Sequence, residues 1–251
     1  MKLISIKSWA LLCLSMAGLL SVPYVFADIA GVKMGFAAWN HQPGGTVRYQ
    51  GTDTNAETGL NLTDEAEGFF WMAIEHPVPG LPNIKIGHTK LNSTGNGNST
   101  ISFGGINFNG LIDTSLKLDQ TDLTLYYELV DTAVHFDLGL TIKYIDGTAQ
   151  VASVPPGQLS RVDFEGVLPL IYASLDFKMP LTGLSFGIEG NALSYNGHRY
   201  TDVQLRLAYE SKAKMGVQLG YRRMQLKLDD LDGVFSDLKF DGPFAAVFFH
   251  F

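Results

Sequence analysis

The sequence of 251 residues has little charge, a single cysteine and, beyond its N-terminus, no long apolar run. Charged residues make up 17% of it, against about 25% in average globular proteins. Hydrophobic residues make up 46%, which excludes a natively disordered chain. After residue 27 the longest apolar run is six residues, at 244–249, whereas a membrane-spanning helix needs about 20. A helical protein with several membrane spans is therefore excluded.

The sign of the charge and the place of the cysteine exclude further classes. The formal net charge is −7, and a nucleic-acid partner would favour a basic face, so we expect no nucleic-acid binding. Cys13, the one cysteine, lies in the N-terminal segment. The rest of the chain cannot form disulfides, cysteine-type zinc sites or cysteine-linked haem. We expect no cofactor.

The N-terminal segment has the composition of a secretory signal peptide. Lys2 and Lys7 supply its positive charge, an apolar stretch covers 9–20, and Pro23 precedes a small residue, Ala27, at the expected cleavage site. We predict two parts: a signal peptide at 1–27 and one barrel domain at 28–251. The alternative is an uncleaved membrane anchor.

The remainder of the chain alternates between apolar and polar residues, which indicates β-strands. The clearest example runs from Val134 to Tyr144, where every second residue is apolar. Comparable segments lie at 32–38, 184–188, 203–209 and 217–221, and no segment of similar length has helical periodicity. The strands run to about 10–14 residues, and their polar face is mostly Gly, Ser, Thr, Asn and Gln. Soluble sandwiches have shorter strands and a more charged face, whereas transmembrane β-barrels cross the bilayer with about 9–11 residues per strand.

The spacing of these segments predicts an all-β, antiparallel, up-and-down transmembrane barrel of about ten strands, with eight or twelve as alternatives. Bacterial single-chain barrels have an even strand number, short periplasmic turns and longer extracellular loops. The predicted connections alternate in this way, and both chain ends then lie in the periplasm. The predicted long loops include 40–66, 91–120 and 146–165. The predicted strands are 29–39, 67–76, 83–90, 121–130, 133–145, 166–177, 183–195, 200–210, 214–227 and 237–251.

The end of the chain carries a predicted assembly signal. Ala245, Val247, Phe249 and Phe251 alternate, and the sequence ends on the last aromatic residue. This resembles the C-terminal strand of bacterial outer-membrane barrels, which their assembly machinery recognises. The resemblance to small outer-membrane β-barrel proteins covers about residues 28–251. It implies residence in the cell outer membrane of a Gram-negative bacterium.

A narrower resemblance is to an uncharacterised proteobacterial outer-membrane barrel family named for a Gly-Gly pair. The pair is either Gly44-Gly45 or Gly104-Gly105, and the sequence does not decide between them. This resemblance implies no catalytic residues.

Charged residues on the polar face predict a cross-linked lumen. Six cations and six acids share it, and at ten strands a barrel is close to filled by its side chains. We therefore expect a narrow or plugged lumen, and not a wide porin. His135 and Asp137 share one face and could form a hydrogen-bonded pair or hold a metal. The predicted lumenal charges are Lys33, Lys85, Lys143, Arg206, Arg222 and Lys239 with Glu128, Asp137, Asp176, Glu189, Asp202 and Asp241.

The sequence favours a structural or surface role, or passage of small solutes, over catalysis. No Gly-x-Ser-x-Gly motif occurs, so no nucleophile can be named. The alternative is an outer-membrane lipid or peptide hydrolase that uses histidines and acids at the barrel rim, with His135 and His198 as candidates. The expected partners are outer-membrane lipid, lipopolysaccharide and the barrel-assembly machinery, and we expect a monomer.

Overall fold

The structure is a computed structural model that describes residues 31–231 and 233–251. The predicted signal peptide and its cleavage site lie outside these residues. No helix in the described part of the chain is long and apolar enough to cross a membrane. The described residues form β1 (Gly31–Tyr49), β2 (Thr54–Asn55), β3 (Glu65–Glu75), β4 (Asn83–Thr89), β5 (Asn92–Phe103), β6 (Ile106–Asp131), β7 (Val134–Ser153), β8 (Leu159–Lys178), β9 (Leu184–Tyr195), β10 (His198–Glu210), β11 (Met215–Leu231) and β12 (Val234–His250).

Ten of these strands form one closed antiparallel barrel, which confirms the predicted fold class. Each strand pairs with its neighbour in the order β1, β3, β4, β6 to β12, and β12 returns to pair with β1. This seam runs from Lys33 opposite His250 to Tyr49 opposite Val234. Closure leaves none of these ten strands at a free edge, which is the condition for burying a sheet in lipid. The two additional strands are β2, paired with β1, and β5, paired with β6.

The two ends of the barrel differ. We call one the turn end: it carries the short connections 76–82, 132–133, 179–183 and 211–214 and the end of the chain. The opposite, far end carries the other connections. Much of the sequence predicted there as long loops is paired strand instead. β5 and the first part of β6, residues 106–117, form a hairpin at the far end. β7 pairs with β8 up to Ala152 opposite Leu159.

The outer surface has an apolar belt next to the turn end. On β7 the outward residues are apolar from Val134 to Tyr144, and then Asp146, Thr148 and Gln150 follow. The eleven-residue segment 134–144, at about 3.3 Å per residue and a tilt of about 40°, spans a height of roughly 25–28 Å. That height matches the hydrocarbon-facing band of a transmembrane barrel. The same change from apolar to polar occurs on β8, between Val167 and Glu165.

Inside the barrel the order of polarity is reversed. On β6 the inward residues near the turn end are polar, as with Thr124, and those near the far end are Ile112, Leu116 and Leu118. Beyond the belt the barrel is therefore built like a soluble protein, with a polar outside and an apolar core. This reversal explains why the predicted strands were too short: the alternation continues, but the apolar residues change face.

Three of the four glycines in the candidate Gly-Gly pairs, Gly45, Gly104 and Gly105, have positive φ. Gly104 and Gly105 form the two-residue turn between β5 and β6, with φ of 62° and 74°. Positive φ at both positions is typical of the type I′ hairpin turn. Gly45 has φ of 92°, and a Cβ there would lie 1.9 Å from the carbonyl oxygen of Asp237 on β12. The first pair sets a hairpin, and the second permits close approach across the seam.

Candidate functional site

The lumen contains a cavity of about 520 Å³ on the turn-end side of the barrel. Its lining extends from Lys178, Lys214 and Phe251 at the turn end to Asp202 and Arg222 at mid-height. Strands from all around the barrel contribute to this lining. Because their polar faces point inward at belt height, the chamber is lined mainly by charged, hydroxyl and amide side chains.

One cluster of ion pairs crosses the chamber, and we call it the lower tier. Arg206 on β10 donates to Asp176 on β8, to Glu189 on β9 and to the Ser174 hydroxyl, with a distance of 3.0 Å from Nη2 to Ser174 Oγ. Lys85 on β4 also donates to Glu189. The lower tier therefore joins strands that are not all neighbours, and it narrows the chamber.

A second cluster, the upper tier, lies deeper and is nearly inaccessible to solvent. Arg222 on β11 binds Asp202 on β10 through two hydrogen bonds, of 2.9 Å from Nε to Oδ1 and 2.6 Å from Nη2 to Oδ2. Its third donor, Nη1, lies 3.1 Å from the hydroxyl of Thr89 on β4, across the barrel. The guanidinium also packs over the rings of Trp39 and Phe69, at 4.7 and 4.9 Å from their centroids.

Lys143 completes the upper tier from β7. Its Nζ donates to Asp122 at 2.7 Å and to the amide oxygen of Gln120 at 3.0 Å, and it lies 4.0 Å from Asp202. The hydroxyl of Tyr200 donates to the same amide oxygen at 2.7 Å. Every charge of the upper tier thus has an opposite charge beside it, which burial of ions requires.

Beyond the upper tier the barrel is filled by an apolar plug. Segment 50–64 folds into the far end and contributes buried Ala56, Leu60 and Leu62. The hydroxyl of Thr114 on β6 donates to the Leu60 carbonyl and fixes this segment from inside the wall. The chamber is therefore closed on this side. The added strand β5 contributes Phe103, and the barrel strands contribute Trp39, Phe108, Ile112, Leu116, Leu118, Leu170, Met224, Leu226, Leu238, Phe240 and Phe244.

The structure brings most of the predicted lumenal residues together. Asp176, Glu189 and Arg206 form the lower tier, and Lys143, Asp202 and Arg222 belong to the upper tier. Lys33 lines the chamber, with its Nζ 4.9 Å from the Phe248 ring centroid. Sequence reasoning missed Asp122 and Gln120, the hydrogen-bond acceptors for Lys143. Their inward phase on β6 follows from the outward phase of Leu123 and Leu125, which is the signal that could have identified them.

Two assignments to the lumen were wrong. Lys239 and Asp241 share the outward phase of β12 with Pro243, Ala245 and Val247. The physical reason is the reversal of polarity: both residues lie beyond the belt, where polar side chains face outward.

The predicted pairing of His135 with Asp137 is also not observed. Both line the chamber, but His135 Nδ1 lies 2.6 Å from Asp131 Oδ1, across the β6–β7 turn. His198 lies at the far end, where its Nδ1 accepts a hydrogen bond of 3.2 Å from the Asp229 amide. The two candidate histidines are thus at opposite ends of the barrel. Among residues 31–231 and 233–251 no group of three metal-ligating side chains is disposed to hold an ion.

The predicted assembly residues lie at the seam. Phe249 stands opposite Met34 of β1 and Met215 of β11. Phe251 exchanges two backbone hydrogen bonds with Val32, of 2.8 and 3.2 Å, while 73% of its surface is exposed. The last residue thus completes the pairing of the two terminal strands, and its ring stays exposed.

We expect Phe251→Asp to lower the yield of folded barrel several-fold, because it removes the exposed ring and adds a charge beside the seam. The fraction that migrates as folded barrel in unheated gels measures this effect. Leu181→Asp is the matched control, since Leu181 is fully exposed in a turn-end connection and takes the same charge change. Equal yields of the two variants would contradict the predicted role of Phe251.

A closed antiparallel sheet with an apolar outer belt and a polar lumen is the architecture of a transmembrane β-barrel. Among solved structures, the chain is similar to the outer membrane protease OmpT from Escherichia coli, with a TM-score of 0.55 and 11% identity over 88% of this chain and 97% of that chain. At this identity the similarity establishes the fold and transfers no activity.

Other similarities have lower scores. The transport unit of the autotransporter AIDA-I from Escherichia coli has a TM-score of 0.42 and 9% identity, over 97% of this chain and 96% of that chain. A FadL homologue from Pseudomonas aeruginosa has a TM-score of 0.38 and 8% identity, over 89% of this chain and 91% of that chain. No protein-family model matches the sequence, and no curated protein matches it significantly.

Proposed function

We propose that this chain is an outer-membrane β-barrel protein of a Gram-negative bacterium with a sealed lumen and a structural or surface role. The observation that carries the proposal is the apolar plug stacked on the upper tier, which together fill the barrel beyond the chamber. The membrane location is supported by the height of the apolar belt and by closure of the sheet. The short connections at the turn end are the periplasmic turns of such a barrel, so the turn end faces the periplasm.

The plug argues against a route for ions or polar solutes. An ion that entered the chamber from the turn end would meet Arg222, Asp202 and Lys143, which are already paired with one another and with Asp122. To go further it would have to lose its hydration among apolar side chains, which is costly in a low-dielectric interior. Passage of small solutes, the second part of our sequence-based expectation, would therefore require the plug to move.

The positions of the two candidate histidines argue against the hydrolase alternative. A hydrolase needs a nucleophile, a base and an acid that converge on one position. His135 and His198 lie at opposite ends of the barrel, and each is engaged with an aspartate near its own end. Membership of the Gly-Gly family, a monomeric state and recognition by the assembly machinery remain parts of this proposal.

We expect the purified wild-type protein to insert into planar lipid bilayers without stable conductance steps. Fractionation of cells expressing it should recover it with outer membranes, and its gel migration should change on heating. Large, stable steps from the wild type would overturn the sealed lumen. Recovery in the soluble periplasm would overturn the membrane location. Hydrolysis of a lipid or peptide that is lost on changing His135 or His198 would favour the enzyme alternative.

A further inference from the structure

The outer surface carries a group of four cations immediately beyond the apolar belt, which we call the basic patch: Arg199, Arg223, Lys227 and Lys239. They lie on three adjacent strands, β10 to β12, and all share the outward phase. Strand register places Arg199 directly opposite Lys227, and Lys239 opposite Gln225, midway between Arg223 and Lys227. Neighbouring strands are about 4.8 Å apart and four residues span about 13 Å, so the patch is compact.

None of these cations forms an ion pair within 4 Å in the described part of the chain, although on the same outward face Asp241 stands opposite Arg223 and Asp237 stands opposite Lys227. The two acids beside them have other hydrogen-bond donors: Asp241 accepts from the Tyr221 hydroxyl, and Asp237 from the Gln225 amide at 2.6 Å. The lumenal cations Lys143, Arg206 and Arg222 are all held by carboxylates. The patch therefore keeps an excess of positive charge, four cations against these two acids, that can attract an external anion.

The opposite side of the barrel differs at the same height. There the outward face of β6 to β8 carries five acids against two cations, Lys117 and Arg161. Arg161 is bound to Asp163 at 2.8 Å, and this hydrogen bond holds the pKa of the Asp163 carboxyl below its ordinary value. An anionic ligand would therefore prefer β10 to β12. The five acids are Asp113, Asp119, Asp146, Asp163 and Glu165.

The surface directly below the patch is apolar and lies within the belt. It contains Leu205 and Val203 of β10, Leu219 of β11, and Ala245 and Val247 of β12. A ligand that occupies both surfaces must carry anionic groups at one end and hydrocarbon at the other. It must also reside where the belt meets the outer aqueous phase.

We propose that the basic patch binds the phosphate groups of a phosphorylated glycolipid of the outer leaflet, the lipid A part of lipopolysaccharide, while its acyl chains lie against the apolar surface below. Two phosphates on one sugar headgroup match cations spread over about 13 Å better than the single phosphate of a glycerophospholipid. One guanidinium group can donate two parallel hydrogen bonds to the oxygens of one phosphate, and Arg199 and Arg223 each supply such a group. This inference rests on the membrane location proposed above.

The test compares a patch variant, Arg199→Gln/Arg223→Gln/Lys227→Gln, with a control variant from the opposite side, Lys117→Gln/Arg161→Gln. Retention of diphosphorylated lipid A by the purified proteins in detergent is measured by native mass spectrometry. We expect at least a tenfold weaker affinity for the patch variant and no change for the control. Lipid A without phosphates should bind the wild type as weakly as diphosphorylated lipid A binds the patch variant.

Equal affinity of the patch and control variants, or equal binding of the phosphate-free lipid, would overturn the proposal. Insertion into lipid vesicles is scored on the same preparations by heat-dependent gel migration. If the wild type inserts and the affinities are equal, only the lipid site fails. If the wild type does not insert, the membrane location fails, and the lipid site with it.

Discussion

Replacing Arg222 with alanine is expected to destabilise the folded barrel by about 3–5 kcal/mol, because Asp202 would remain buried without its bidentate partner. Arg222 is 2% exposed and Asp202 is 3% exposed, so solvent would compensate the unpaired carboxylate poorly. The guanidinium also supports the rings of Trp39 and Phe69, so the base of the plug loses packing as well. Urea titration of the protein in lipid vesicles, followed by gel migration of the folded form, measures the change.

A double variant separates the loss of a charge partner from a general loss of packing. Arg222→Met with Asp202→Asn keeps comparable volume and removes both charges, so it should recover most of the stability lost in Arg222→Ala. A buried ion pair replaced as a unit is often neutral, whereas removal of one partner is costly. If Arg222→Ala unfolds at the same urea concentration as the wild type, the Arg222–Asp202 pair does not stabilise the fold.

Replacing Trp39 with alanine should lower the free energy of unfolding by a similar amount, about 3–5 kcal/mol, because it leaves a cavity at the base of the plug. Trp39 is fully buried, its ring lies 5.1 Å from that of His41, and it covers the Arg222 guanidinium. Loss of this ring also removes part of the barrier between the chamber and the plug. We therefore expect brief conductance events in planar bilayers that the wild type lacks.

Leu159→Ala provides the control for the Trp39 variant. Leu159 lies at the far end, is 58% exposed and stands outside the plug, so its truncation should change stability by no more than about 0.5 kcal/mol. If Trp39→Ala and Leu159→Ala unfold at the same urea concentration, the apolar plug is not tightly packed around Trp39. If the Trp39 variant is destabilised but shows no conductance events, other plug residues suffice to seal the lumen.

The sequence allowed the belt to be predicted because apolar residues there alternate with polar ones on a single face. Residues 134–144 are the clearest case: they form the turn-end half of β7, and their apolar residues face outward. The segment 92–103 could not be recognised in the same way. Its outward residues are Asn and Thr and several inward ones are Gly and Ser, so both faces look polar, and it reads as a loop although it is strand β5.

The pairing partners within the lumen were beyond sequence reasoning for a different reason. Alternation assigns a face, but it does not say which residues meet across the barrel. Arg222 and Thr89 are far apart in sequence and are brought together only by closure of the sheet. Lys239 shows the complementary error, since a polar residue was assumed to face inward at every height. Knowing where the belt ends would have corrected that assignment.

The seam between β1 and β12 has a consequence for the time course of folding. It joins the first and last strands of the barrel, so its contacts have the greatest sequence separation in the molecule, and loop-closure entropy must be overcome before they form. The cylinder cannot close until the C-terminal strand is available to pair with β1. Until then the sheet has two unpaired edges, which are prone to aggregation. Pairing of β12 with β1 is therefore the step that removes both edges and circularises the sheet.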